Sequence, residues 1–358
     1  ELASRLFDLM SALFTYTHGA MTQGALRDFT AGFSQLSNAT ITPEMQKSIA
    51  DYYDFFAKET ERTSGTRLDV ASLLPTSNAE RYLQANYTAK LPNDDLAIAA
   101  DDQRDGSTWT AANAKYHSFC REIVTRFAFV DALLIDGQGN VVYSAYKNTD
   151  LGTNILNGPY NGSKLREAYL DAMSSNRADR VAFTDFEFYQ PASMSPTAWM
   201  VAPVPSSVKP DGVVALQFPI TKINKIMTFD KRWAEAGLGE TGETILAGPD
   251  FLMRSDSRLF IEDPEKYRQR GTTLIQPLNP EVQKEAQKGH TGTMITKDYL
   301  GQESLEAYAP IGTMTSLHWS IVSKISTTEA FAREATFTRT VVLATTGIIF
   351  LVCLLAAL

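Results

Sequence analysis

Apolar residues recur at helical spacing from the start of the chain. Leu6, Leu9, Leu13, Tyr16 and Ala20 follow at alternating intervals of three and four, which predicts helix over residues 2 to about 36. A second stripe, Leu26, Phe29, Phe33 and Leu36, continues after a drift of face near Gly24. Thr42-Pro43-Glu44 opens a further helix: Thr caps it, Pro takes the first helical position and Glu complements the dipole. That helix runs through Tyr52, Phe55 and Phe56 towards Gly65. From Ala79 to Phe127 the pattern stays mostly helical, with an acidic loop expected from Pro92 to Gly106.

The period changes at Val130. VDALLID, a Gly137-Gln138-Gly139-Asn140 turn and VVYSAYK predict a β-hairpin. A helix over Lys164 to Ser174 follows, then strands over Val181 to Tyr189, Ala198 to Val204 and Val213 to Phe218. The same order recurs downstream. Glu243 to Ala247, a Gly248-Pro249-Asp250 turn and Phe251 to Ser255 predict a second hairpin. Helical stretches (Pro264 to Arg270, Pro280 to Lys288) come next, and then strands over Gly292 to Asp298, Glu303 to Ala309 and Trp319 to Ile325. Ala202-Pro203-Val204 has a counterpart in Ala309-Pro310-Ile311. The repeated order of elements predicts two similar lobes in series, each an antiparallel sheet with a helix on one face.

Val341 to Leu358 carries no charge and follows Arg339, so a C-terminal transmembrane helix is expected. ELASRLFDLM begins as open helix without a signal-peptide pattern, and a first membrane helix upstream is expected as well. The composition is that of a globular protein, 44% hydrophobic and 21% charged. A net charge of −8, with no basic stripe, argues against a nucleic-acid partner. Cys353 lies in the apolar run and Cys120 in a polar helical stretch, so two free thiols are expected.

Catalytic motifs do not assemble. His18, His117, His290 and His318 are scattered, and no nucleophile elbow, phosphate loop or dinucleotide fingerprint occurs. Asp101 to Gly106 resembles a calcium loop but places Ala112 where a bidentate Glu is required, which leaves a solvated loop. Gly237, Gly239 and Gly242 precede a hairpin rather than a helix, so no phosphate cradle is expected there. Asp250, Arg254, Asp256 and Arg258 read as a solvated or ion-paired face. No enzyme activity, cofactor or metal is expected of this segment.

FVDALLIDGQGNVVYSAYKNTDLGTNI, FTDFEFYQPASMSPTAWMVAPV and GETGETILAGPDFLMRSDSR closely resemble bacterial double Cache (dCache) sensor domains. RYLQANYTAKLPN and NAKYHSFCREIVTRF are similar to that family too, so the resemblance covers roughly Ala79 to Phe331. It implies two PAS-like lobes on a long N-terminal helix, flanked by transmembrane helices. The branch it most resembles precedes class III adenylate/guanylate cyclase modules; other branches precede chemoreceptor or histidine-kinase outputs. Many amino-acid-binding members carry an Arg and a Trp-Tyr pair entering the distal pocket. Here GPYNGSKLREAYLDA offers Arg166 and no such pair, which argues against an amino-acid ligand.

The expected fold is therefore α+β: N-terminal helices over 1–78, a distal lobe with its lead-in over 79–219, a proximal lobe over 220–331, and a juxtamembrane and transmembrane helix over 332–358. The expected role is an extracytoplasmic small-molecule sensor in a plasma or inner membrane, acting as a homodimer, with the Leu6–Leu9–Leu13 stripe packed onto the lobes or onto a second copy of itself. A structural or protein-interaction ectodomain with a vestigial pocket is the rival reading. Tyr143, Tyr146, Tyr160, Asp185, Tyr189 and Trp199 are the candidate ligand-binding set, with Asp185 for a cationic or hydroxyl group.

Overall fold

The computed structural model describes residues 2–91, 93–174, 181–207, 209–264, 271–312 and 317–357; the fold is α+β, with N-terminal helices, two antiparallel sheets and an apolar C-terminal helix. The N-terminal stretch is two helices, α1 (Leu2–Thr17) and α2 (Ala20–Gln35), not the single one expected. The break falls at Gly19, whose extended backbone (φ −72°, ψ 141°) ends the helical ladder. Gly24, where the stripe changes face, lies inside α2. A Cβ there would sit 2.8 Å from Tyr116 Oη, and one on Gly32 would sit 2.7 Å from Trp109 Cα. These glycines let α2 approach the later helix that carries Tyr116 and Trp109.

α3 (Pro43–Ser64) starts where its cap signal placed it: Thr42 accepts from Met45 N at 3.3 Å, and Gly65 ends the helix in the left-handed region. α4 (Val70–Leu73) and α5 (Asn78–Leu83) follow, α5 under a capping box between Ser77 and Glu80. The expected acidic loop contains a helix, α6 (Asp94–Ala99), because Asn93 caps it and Asp94 and Asp95 occupy its first turn. α7 (Thr108–Phe127) is capped by Ser107.

The first sheet comprises β1 (Asp131–Asp136), β2 (Val141–Ser144), β3 (Ala182–Phe183), β4 (Glu187–Tyr189), β5 (Ser195–Val204) and β6 (Gly212–Pro219), in the order β2-β1-β6-β5-β3 with β4 also on β5. The strand expected over Val181 to Tyr189 is split in two. At the break Thr184 bonds β5 through its side chain, Trp199 N donating to Thr184 Oγ1 at 2.9 Å. On one face α8 (Lys164–Ser174) buries Leu165, Ala168, Tyr169 and Ala172 against Leu133, Ile135, Val201, Val213 and Ala215. On the other face Phe29 of α2 meets Tyr143 with ring centroids 4.7 Å apart. Burial on both faces explains why VDALLID and VVALQF are near-continuous apolar runs instead of alternating ones.

The first compact unit of the chain spans Glu1–Ile223; the second is built from Asn224–Pro264, Ile275–Ile311 and His318–Leu358. After α9 (Ile220–Met227) the second sheet comprises β7 (Glu243–Ala247), β8 (Gly292–Lys297), β9 (Glu303–Pro310) and β10 (Ser320–Ser326), in the order β7-β10-β9-β8. Both sheets thus place the leading strand beside the last strand of a meander. Pro203 and Pro310 fall at the ends of β5 and β9, opposite the opening residues Val213 and Ser320 of the next strand.

The second hairpin arm, Phe251 to Ser255, does not form a strand. It makes single bridges, Ala247 with Met253 and Leu252 with Pro277. The buried guanidinium of Arg254 curls the segment, bonding Leu252 O at 3.0 Å and pairing with Asp250 at 2.9 Å. The Asp250–Arg254 face is therefore ion-paired. α10 (Arg258–Glu262) and α11 (Pro280–Gln287) flank the expected helix over Pro264 to Arg270, of which residues 265–270 lie outside the described residues.

α12 (Thr327–Ala330) leads into α13 (Ala332–Ala357). Within α13, Thr336–Leu355 is 20 residues long with a mean hydropathy of 2.0 and is entirely exposed, so it is long and apolar enough to cross a membrane. The glycine-rich turn before β7 does hold an anionic group, one from the chain itself. The Thr241 hydroxyl donates to the Glu329 carboxylate and lowers its pKa, aided by Glu240 N and Thr241 N, each donating at 2.8 Å. Cys120 is buried and Cys353 exposed, and both are free thiols.

Candidate ligand-binding site

The loop from β2 to α8 is organised by the buried Asp131. Its carboxylate accepts from Ser144 Oγ (2.7 Å), Ala145 N (2.9 Å), Tyr146 N (3.2 Å) and Asn148 Nδ2 (3.1 Å). The turn drives Lys147 into the left-handed region (φ 58°) and buries its ammonium against Ser144 O (2.9 Å) and His117 Nδ1 (3.3 Å). Burial lowers the lysine pKa to about 7. Burial, with Lys147 beside it, lowers the His117 pKa to about 3, so the imidazole is neutral.

Beyond that turn a carboxyl group meets a cluster of rings. Tyr189 Oη donates to Asp150 Oδ2 at 3.0 Å, and its ring stands edge-on to Trp199 at 5.1 Å. Tyr160 lies 6.0 Å from Tyr189 and donates to Thr149 Oγ1 at 3.1 Å. From α5's extension Gln84 clamps the loop, donating to Thr149 O and Leu151 O at 3.0 and 3.1 Å while accepting from Tyr53 Oη. Glu187 accepts from Lys164 N at the start of α8, and burial raises its pKa to about 7.

Two polar atoms in this cluster lack a standard hydrogen bond although they are buried: Asp150 Oδ1 and Trp199 Nε1. The indole N–H lowers the Glu187 pKa as a subordinate effect. Asp150 is the costlier case. Burial, reinforced by Asp131, holds its pKa well above the ordinary carboxylate range. Next to the cluster Ser193 and Met194 both have positive φ (50° and 62°), and Met194 packs on the hydrophobic group that contains Tyr160. Two adjacent non-glycine residues in this conformation are strain of the kind concentrated at functional sites.

Of the six candidates, Tyr160, Tyr189 and Trp199 come together. Tyr143 does not join them. A β-bulge shifts the β1–β2 register between Leu134 and Ile135, so Tyr143 pairs with Leu134 and turns to the N-terminal helices, bonding His117 Nδ1 at 2.7 Å. Tyr146 is half-buried in the Asp131 turn. Asp185 sits in the break between β3 and β4, where its Oδ1 accepts from Phe186 N at 2.8 Å. The carboxyl group that meets the rings is Asp150, which sequence reasoning missed although it lies in the quoted KNTDLGTNI stretch. Gln84, 65 residues from Thr149, gave no local signal.

A groove of about 820 Å³ lies elsewhere in the first unit, lined by Ser34, Ser77, Glu80, Asn140, Asn154 and Lys209 among others. It contains none of the six candidates. The Asp136 carboxylate on its wall is already engaged by Gln138 N, Asn140 N and Asn140 Nδ2, each at 2.9 Å. The ring cluster has the unmet hydrogen-bonding capacity and is the stronger candidate.

No known protein family and no curated protein matches the chain. Among solved structures it is similar to the ligand-binding domain of the Pseudomonas aeruginosa PAO1 amino acid chemoreceptor PctB in complex with L-Arg. That match has 16% identity and a TM-score of 0.41, covering 79% of this chain and 97% of that one. The ligand-binding domain of the Pseudomonas fluorescens chemoreceptor CtaA in complex with L-leucine matches at 13% identity and TM-score 0.36, with coverages of 79% and 97%. An extracellular ligand binding receptor from Desulfohalobium retbaense matches at 12% identity and TM-score 0.39, over 84% of this chain and 39% of that one.

Proposed function

We propose that this chain is the extracytoplasmic part of a transmembrane signalling receptor of the double Cache kind, sensing a small molecule in its first sheet unit. The observation that carries the proposal is the buried Asp150 carboxyl group, one oxygen on Tyr189 and the other without a hydrogen bond, among Tyr160, Tyr189 and Trp199. An apolar, aromatic surround with few unmet polar atoms is the composition of small-molecule sites. A ligand group that donates a hydrogen bond, an ammonium or hydroxyl, suits Asp150 Oδ1.

Tethering follows from α13, which continues from β10 through α12 without a flexible spacer and presents an exposed 20-residue apolar span. A lobe joined so directly to a membrane helix can pass a small displacement to it. On the sequence resemblance, the output is a class III adenylate/guanylate cyclase module and the location a plasma or inner membrane. The receptor acts as a homodimer in this proposal, through a surface other than the Leu6–Leu9–Leu13 stripe, because the chain buries Leu6 and Leu13 itself.

The test is a thermal-shift screen of the membrane-inserted chain against amines, amino acids, polyols and nucleosides. A compound that raises the melting temperature of the native chain and has no effect on Asp150→Asn supports the site. A panel with no hit, or hits indifferent to Asp150→Asn, rejects it.

A further inference from the structure

The face of the first sheet opposite α8 carries a second cavity, of about 320 Å³. α1 lines it with Leu9, Leu13 and Tyr16, the end of α7 and the residues after it with Phe127 and Phe129, and β6 with Leu216. Leu216 is one residue out of phase with Ala215, which packs in the core under α8. Its side chain therefore points to the other face, and this cavity is separate from the Asp150 cluster.

At its edge stands a cation without a counter-ion. Lys222 is half-buried, donates to Phe127 O, and lies 4.4 Å from the ring centre of Phe129 and 5.6 Å from that of Phe218. No carboxylate pairs with it among the described residues. Burial alone shifts its pKa, downward to about 8, whereas a paired carboxylate would work against that fall. Two residues that line the cavity thus hold the ammonium, Phe127 through its carbonyl and Phe129 through its ring.

We infer that this cavity binds a monoanionic, mainly apolar molecule, an aryl or short alkyl carboxylate, with its body against Leu9, Leu13 and Leu216 and its carboxylate on Lys222. The volume is at the lower end of small-molecule pockets, which admits a single ring or a short chain. One lysine supplies a single positive charge beside an otherwise apolar lining, so a head group with one negative charge, a carboxylate, balances it without leaving a second charge unpaired. The inference does not depend on the Asp150 site.

The experiment is isothermal titration of the chain in lipid nanodiscs with 3-phenylpropionate and with its neutral analogue 3-phenylpropanol, after subtraction of empty nanodiscs. The carboxylate is expected to bind one per chain and at least about tenfold more tightly than the alcohol, the scale of a charge-assisted hydrogen bond. Lys222→Met should remove that tenfold preference and leave the alcohol's affinity unchanged. Ala12→Phe, which fills the cavity from α1, should abolish both, and Leu9→Phe provides the same test if the first variant does not fold. Absence of binding, equal affinity for acid and alcohol, or a preference that survives Lys222→Met overturns the inference. So does binding that persists in the filled variants and disappears in Asp150→Asn, which would place the probe in the other site.

Discussion

Asp150→Asn separates a strained binding group from a structural one. The change keeps the size of the side chain and an oxygen to accept from Tyr189 Oη, now 3.0 Å from Asp150 Oδ2, and removes only the ability to ionise. Burial and the neighbouring Asp131 raise the folded-state pKa of Asp150 above its unfolded value near 3.8. A raised carboxyl pKa contributes stability that is fully present below the unfolded pKa and is lost as pH rises through the folded one. Native chain and variant should therefore be equally stable at about pH 2.5, more than a unit below the unfolded value, where the carboxyl group is neutral in both states. At pH 8 the variant should be more stable by on the order of 1–3 kcal/mol, the cost of a buried polar group that lacks a partner. For a unit of this size that is roughly 2–4 °C in melting temperature for each kcal/mol. Urea unfolding followed by tryptophan fluorescence reports it, since Trp199 stands 5.1 Å from Tyr189. A variant destabilised equally at about pH 2.5 and at pH 8 would mean that Asp150 is an ordinary hydrogen-bond acceptor, and the argument for a ligand would fail.

Gly152→Ala should cost about 1–3 kcal/mol, because Gly152 has φ +83° and a Cβ there would lie 2.9 Å from Glu80 Cα; an unchanged urea midpoint would contradict this. Burial raises the Glu80 pKa to about 7, so its contribution is lost as pH climbs from about 4.5 through 7. Glu80→Gln keeps a capping-box residue and should flatten that part of the stability–pH curve; an unaltered slope would assign the pH dependence elsewhere. Replacing Phe350 and Leu351 with Arg, at about 2.5–3.5 kcal/mol for each central charge, should release the chain from carbonate-washed membranes, and retention would reject the span. Glu329→Ala should speed amide exchange at Glu240 and Thr241, whose N–H groups it accepts; equal rates would show that the turn holds itself.

Patterns governed by local sequence were legible, and those set by distant contacts were not. The start of α3, the bounds of α8 and the order of strands in both lobes follow from caps, turns and apolar runs. The break at Gly19 escaped the reading because the apolar stripe persists across it while the backbone does not. Phe251 to Ser255 has the composition of a strand, yet burying Arg254 with Asp250 outweighs the ladder it would have joined. In the site, Tyr189 and Trp199 were accessible as aromatics on a sheet, and Tyr160 as one in the loop that precedes α8. Tyr143 faces the N-terminal helices instead of this cluster because a one-residue bulge reverses the side chains beyond it, and periodicity carries no trace of the bulge. Asp150 looked like one more polar loop residue, since burial of a carboxyl group is decided by what folds over it.

The two lobes share a strand order but treat buried charge in opposite ways, which is why the binding proposal belongs to the first. In the second, Lys324 on β10 pairs with Asp298 at 2.7 Å and Glu243 at 3.2 Å. Tyr299 Oη adds a 2.6 Å bond to Glu243, whose other oxygen accepts from Arg258 N at 2.8 Å. Each ionic group there has its partner inside the lobe, so removing one would strand a buried charge, and a ligand would have to displace a bond already made. Such a network fixes geometry. It also sits on the strand that leads to the apolar helix α13: Lys324 precedes by two residues Ser326, which caps α12, and α12 carries Glu329 into the glycine-rich turn ahead of β7. β7 and β10 are neighbours in the sheet, so both ends of that turn-and-cap connection are anchored to the same ion-paired pair of strands. Under the proposed role, a lobe held in this way would pass a displacement to α13 as a block, and the strained, incompletely bonded cluster around Asp150 would be the part that changes state when a ligand completes it.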